Sequence, residues 1–371
     1  MKPLRFVSCV LLALAAFQLS AAAQSAHPMP RRPNIILIVA DNLAASDLSC
    51  YGQTQFQTPN LDKLAAEGVR FTRYAAGAPA ASPARAALMT GRAIGFAATN
   101  VTLNSDDVTI AQLLKNSGYY TSLLGEWDLG DKDSSGAPWQ KGFDEFAGYF
   151  TPADAAAPYA GYIWRYESDP AISDDITYNG SEMVYANTGG KKVQYIPDWL
   201  FTLAVNVARH HLPDRQNHYR PFFLVLNCPI PGNGNRFVPT DAPYSDEPWP
   251  AAERNRAAMI SRLDNSVGAL LQSLDKLGQA TNTVIFFTSD TVPQKAGGID
   301  PKFFGEDVST HTLYVPMIVH WPGRIAAGRV CDQESSACDF LPTVAGIGLV
   351  TPPAKIDGKS LFPFLFGPVS K

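Results

Sequence analysis

The run Asn34-Ile-Ile-Leu-Ile-Val-Ala40 constrains the fold of this chain more than any other stretch. Its interior is continuously apolar and largely β-branched, with no polar position left to face water. That is the pattern of a parallel strand covered on both faces. Such a strand needs helices on either side of its sheet, and the chain supplies them in alternation. Thr58-Pro59-Asn60 opens a helix that runs through Glu67 and is closed by Gly68. Ser82-Pro83 opens a second as N-cap and first helical proline, running through Met89 to Gly91. Further helical runs cover residues 109–115, 198–210, 252–277 and 340–345, and strand-like runs cover 69–74, 119–124, 222–226, 283–288 and 313–319. The prediction is an α/β domain with a mostly parallel central sheet and helices on both faces. Residues 131–194, rich in Gly, Ala, Asp and Tyr, read as excursions over the sheet rather than as a separate domain. In open parallel sheets, sites form beyond the carboxyl ends of the strands. That rule points at Asp41-Asn42 and at Asp290.

The chain has 371 residues, 46% hydrophobic and 17% charged, enough for one large domain or two smaller ones with a substantial core. A net charge of −4 gives no electrostatic reason to expect nucleic acid or an anionic membrane as partner. At the N-terminus, Lys2 and Arg5 precede an apolar stretch from Phe6 to Leu19, followed by small residues at 20–23. This reads as a signal peptide over residues 1–23 cleaved near Ala23–Gln24, with an uncleaved anchor as the alternative. The expected location is exported, periplasmic or extracellular. A short leader then covers 24–33 and the main domain 34–368, with no later run of membrane-spanning length. Four cysteines remain after cleavage: Cys50, Cys228, Cys331 and Cys338. Cys331 and Cys338, flanking a polar loop, are the favoured disulfide pair; four small buried thiols are the equal alternative.

Several segments, in order, resemble the sulfatase family of the alkaline-phosphatase-like superfamily: RPNIILIVADNLAASDLSCYG, TPNLDKLAAEGVRFT, SPARAALMTGR, PFFLVL, RLDNSVGALLQSLDKLGQATNTVIFFTSD, YVPMIVHWPGRI, CDFLPTVAGIG and IDGKSLFPFLFG. The resemblance implies that fold, and it implies that a small C-terminal subdomain usual in the family is either missing or truncated here. It also implies a sulfate-ester hydrolase whose nucleophile is a formylglycine made from the first residue of C/S-x-P-S-R. The corresponding stretch is Ala81-Ser82-Pro83-Ala84-Arg85. Alanine cannot be oxidised to the aldehyde, so no formylglycine is expected, although Arg85 is retained. The family's G-K-W-H-L-G is Gly125-Glu126-Trp127-Asp128-Leu129-Gly130 here, which turns two sulfate-facing cations into acids. A family histidine falls at about Gly232, and a family lysine at Gly305 or Glu306. The family's calcium ligands correspond to Asp41, Asn42, Asp290 and Thr291, a degenerate site expected to bind Ca²⁺ weakly.

Loss of a nucleophile alone costs on the order of a million-fold in rate, and each lost electrostatic donor roughly a hundredfold, non-additively. The expectation is therefore a catalytically inactive homologue with a binding or accessory role. The partner is a ligand the sequence does not identify, with a carbohydrate as one candidate. The alternative is an active sulfuric- or phosphoric-ester hydrolase using Ser82 or a metal-bound water.

Overall fold

The computed structural model describes residues 32–94, 98, 100–168, 178–213, 219–232, 238–293 and 314–366. The signal-peptide reading and the Gly305/Glu306 position lie outside these residues. Pro33–Lys371 is one compact unit.

Its sheet strands, in chain order, are β1 (Asn34–Asp41), β2 (Val69–Phe71), β3 (Tyr74–Ala75), β4 (Tyr120–Glu126), β5 (Glu145–Tyr149), β6 (Tyr162–Glu167), β7 (Tyr178–Met183), β8 (Phe222–Pro231), β9 (Thr283–Ser289), β10 (Met317–His320), β11 (Arg329–Cys331) and β12 (Ser335–Ser336). Ten of them form one sheet in the order β11-β2-β10-β9-β1-β8-β4-β5-β6-β7, and β3 pairs with β12 in a small second sheet. The central five, β9-β1-β8-β4-β5, are mutually parallel, and antiparallel pairings flank them on both sides. Every residue of β1 is buried. Alternation divides that strand between two cores, Ile35, Leu37 and Val39 on one face and Ile36, Ile38 and Ala40 on the other.

The principal helices are α1 (Pro59–Ala66), α2 (Ala81–Thr90), α3 (Ile110–Asn116), α4 (Pro152–Ala155), α5 (Ile196–His210), α6 (Ala251–Lys276), α7 (Phe340–Gly348) and α8 (Phe362–Phe366). Apolar positions of α2, α3 and α7 join the first core, and those of α1, α5 and α6 join the second. Asp264 on α6 accepts the first free amides of α1, from Asn60 at 3.2 Å and Leu61 at 2.8 Å, and the Asn60 amide side chain at 2.7 Å. One carboxylate thus caps a neighbouring helix and ties it to α6. No helix among the described residues is long and apolar enough to cross a membrane.

Four sequence expectations need correction. Residues 131–194 do not merely pass over the sheet: they contribute β5, β6 and β7, and β5 belongs to the buried parallel core. The strand expected over 69–74 breaks after Phe71, and Tyr74 pairs in the other sheet. The strand expected over 313–319 starts only at Met317, because Pro316 has no N–H to give a ladder. Cys331 and Cys338 are thiols rather than a disulfide, and Cys338 Sγ lies 3.0 Å from the Ser336 hydroxyl.

Candidate functional site

The carboxyl ends of β1, β4 and β9 bring three acids toward one place. Asp41 ends β1, where the register against β8 slips so that Asp41 faces Pro231. Glu126 ends β4, and Asp290 follows β9, its amide donating to the Ala40 carbonyl at 3.1 Å. Gly125 is required for this convergence. Its φ is +103°, and a Cβ there would lie 1.9 Å from the Asn227 carbonyl oxygen of the adjacent strand.

Arg85 reaches this cluster from α2. Its Nη1 donates to Glu126 Oε1 at 2.8 Å and its Nη2 to Asp290 Oδ2 at 2.7 Å. The three side chains are 4%, 2% and 0% exposed, so the triad is closed to bulk water. Burial opposes the Arg85 charge, but the carboxylates of Glu126, Asp290 and Asp41 outweigh it and hold the guanidinium above its usual pKa. Arg85 Nε is buried without a hydrogen bond among the described residues. Asp128 is half-buried and sits at φ +56°, a left-handed backbone uncommon outside glycine. Burial pushes its carboxyl up to about 6, Arg85 acting against and Glu126 and Asp290 with that shift.

The loop after β1 is bound tightly. Asn42, at φ +59°, donates its backbone amide to Asp290 Oδ1 at 3.2 Å, and its side-chain amide donates to Asp41. Thr291 Oγ1 donates to Asn42 Oδ1 at 2.8 Å and lies 3.1 Å from Asp290 Oδ1. Arg256, from α6, is equally buried. It donates to the Asn42 carbonyl at 2.9 Å, to Asp47 at 2.6 Å and to the Gly232 carbonyl at 3.2 Å. Ser289 accepts the Leu43 amide at 2.9 Å. Sequence reasoning missed Arg256 and Ser289. Arg256 lies outside the family segments, and only its buried phase on its helix hints at a role; Ser289 lies within one, just before Asp290, where nothing marks it as more than a strand residue.

The four residues expected to hold Ca²⁺ do come together, but as arranged they do not fit a divalent ion. Both Asp290 oxygens are engaged by protein donors, the Asn42 oxygen is engaged by Thr291, and a guanidinium already stands in the cluster. Among the described residues, no three His, Cys, Asp or Glu side chains converge as a metal cage.

Helix α2 begins two residues earlier than the capping signal suggests. Ala81 is its first residue and Ala80 its N-cap, with no side-chain cap, so Ser82 does not cap the helix. The Ser82 hydroxyl is instead used in tertiary contacts. It donates to the Asp128 carbonyl at 2.8 Å and accepts the Val101 amide at 3.0 Å. Ala81 lies one helical turn before Arg85, on the same side of α2.

The sulfatase family profile matches residues 33–348. The chain belongs to the sulfatase family. It is 32% identical to N-acetylgalactosamine-6-sulfatase of Canis lupus familiaris over 94% of its own length and 69% of that relative. It is 30% identical to steryl-sulfatase of Mus musculus over 95% of its length and 68% of that relative. Among solved structures, Ps i-CgsB in complex with k-i-k-neocarrahexaose superposes with a TM-score of 0.72 at 28% identity, covering 90% of this chain and 76% of that one. This sulfatase-family chain thus has the alkaline-phosphatase-like fold and spans about two thirds of the length of these curated relatives.

Proposed function

We propose that this chain is an exported sulfatase-family protein that no longer cleaves sulfate esters and acts in a binding or accessory role. The observation that carries the reading is the side chain at position 81, a methyl group where the family places its nucleophile. The buried Glu126–Arg85–Asp290 triad supports it, because the retained arginine is neutralised by the chain's own acids rather than left for an anion. The Ser82 hydroxyl, committed to two backbone groups, supports it as well. With Glu126 and Asp128 replacing cations, the ligand class is uncharged or basic rather than a sulfated sugar. The neighbour solved with k-i-k-neocarrahexaose makes a carbohydrate a reasonable first probe. In this reading residues 1–23 are a signal peptide, 24–33 a leader and 34–368 the sulfatase-like domain.

The purified protein is assayed on aryl sulfate and aryl phosphate esters, with and without Ca²⁺, alongside intact-mass spectrometry. The expected result is no turnover above buffer and no covalent adduct. Turnover abolished by Ser82→Ala, or a sulfated or phosphorylated chain, would overturn the reading. N-terminal sequencing of exported material is expected to start at Gln24; a protein retained in the cell with Met1 intact would refute export.

A further inference from the structure

We propose that Arg85 is the resident cation of this site: its guanidinium takes the place of a divalent ion and clips together the carboxyl ends of β4 and β9. Two carboxylates that meet away from water repel each other and require positive charge between them. A calcium ion meets that need with six to eight oxygens at once. A guanidinium meets it differently, as a rigid fork whose separate N–H groups each take one acid. The second pattern is the one present, with Nη1 on Glu126 at 2.8 Å and Nη2 on Asp290 at 2.7 Å. Asp41 adds a third negative charge close enough to act on the same guanidinium.

The placement has a mechanical consequence. Strands β4 and β9 are not neighbours, since β1 and β8 lie between them. Arg85 approaches from a helix on one face of the sheet and joins strand ends that no backbone ladder connects. The clip therefore ties α2 to both, and the loop after β1 is tied in turn through the Asp290–Asn42 bond. A cation from solution must compete with Arg85 for Asp290, and Arg85 leaving strands buried carboxylates. The site is accordingly calcium-independent, and removing Arg85 creates a calcium requirement that the native chain lacks.

The test compares the full mature chain with Arg85→Met and with Arg85→Met/Glu126→Gln, the second removing one charge of each sign in case the first does not fold. Calcium chloride is titrated calorimetrically, and melting is followed in EDTA and in millimolar Ca²⁺. The wild type is expected to give no binding heat and an unchanged Tm. Each folded variant is expected to bind Ca²⁺, with Tm rising by about 4 °C at a hundred times its dissociation constant. Stoichiometric Ca²⁺ binding by the wild type, or a lower wild-type Tm in EDTA, overturns the proposal whatever the variants do. So do folded variants that ignore calcium. The outcome is separable from the non-catalytic reading: aryl sulfate turnover by a calcium-silent wild type refutes that reading alone, and calcium binding without turnover refutes this proposal alone.

Discussion

Glu126→Gln isolates the charge of the buried triad while keeping its shape. Removing one partner of a buried ion pair costs about 3–5 kcal/mol, because the other charge is left uncompensated. Here Arg85 keeps Asp290 at 2.7 Å, and a glutamine oxygen still accepts from Nη1, so the lower end applies, about 3 kcal/mol. Asp290→Asn lies at the upper end, about 5 kcal/mol, because Asp290 also holds the Asn42 amide and lies beside the Thr291 hydroxyl. For a cooperative unit of roughly 340 residues, with an unfolding entropy of about 2.1 cal/mol/K per residue, 1 kcal/mol corresponds to about 1.4 °C. The expected falls in Tm are then about 4 °C for Glu126→Gln and about 7 °C for Asp290→Asn by scanning calorimetry. The triad is shielded from solvent, so the falls persist when salt is raised. Combining Glu126→Gln with Arg85→Met is expected to cost less than the two single changes together, by about 2 kcal/mol. A Glu126→Gln protein melting within about 1 °C of wild type, or strict additivity in the double variant, refutes the reasoning.

Asp264→Ala leaves the first amides of α1 without their acceptor and is expected to cost about 3 kcal/mol, read as a fall of about 4 °C in Tm. Ser82→Ala is expected to lower Tm by about 2 °C through loss of its two backbone partners and to leave ester hydrolysis at background; a drop in any measured turnover contradicts it. Burial lowers the His320 pKa, with Lys63 acting the same way and Glu67 against. A depressed folded pKa means that this contribution to stability is complete above the unfolded value near 6.5 and is lost as pH falls through the folded one. His320→Phe is therefore expected to flatten Tm over about pH 5–7 relative to wild type, and parallel profiles refute it. Ala81→Cys, coexpressed with a formylglycine-forming system, is expected to yield no aryl sulfate turnover while Glu126 still holds Arg85; measurable turnover from this single change refutes the coupling.

The parts of the fold legible in the sequence are those where burial on both faces leaves a continuous signal. Strand β1 is the clearest case, and β8 and β9 follow it in being buried throughout. Strand β5 is just as buried, yet its Glu-Phe-Ala-Gly-Tyr carries a charge and a glycine, so composition pointed to a loop. Strand β7, Tyr-Asn-Gly-Ser-Glu-Met, has weak β-propensity at the sheet margin, whereas β6, Tyr-Ile-Trp-Arg-Tyr-Glu, carries a strong strand signal that the surrounding Gly-, Ala- and Asp-rich composition masked. The site was legible position by position: Asp41, Glu126 and Asp290 each follow or end a recognisable strand. Their common counter-ion was not legible. Arg85 and Glu126 are 41 residues apart, and Arg85 and Asp290 are 205 apart, so only the three-dimensional sheet order brings them together. The same holds for Arg256, which reaches Asn42 across 214 residues. Ser82-Pro83 carried a sound capping signal that the tertiary structure overrode, because the hydroxyl finds better-buried partners in Val101 and Asp128.

The altered positions make physical sense as a set rather than singly. A buried lysine at position 126 beside Arg85 would place two cations at the strand ends, a requirement for anions that Asp41 and Asp290 match only one for one. Glutamate at that position reverses the requirement. Arg85 is now held between two acids of the chain itself, with Asp41 a third beside it, so the cluster carries an excess of negative charge and offers no place for a bound anion. In the non-catalytic reading, a nucleophile at position 81 would then have little to attack, because an incoming sulfate would meet Glu126 and Asp128 and compete with Glu126 for the arginine. In that reading, loss of the nucleophile and closure of the triad reinforce each other. The first removes the reason to keep Arg85 available, and the second gives the fold a buried interaction that returning to an anion-binding pocket would have to break.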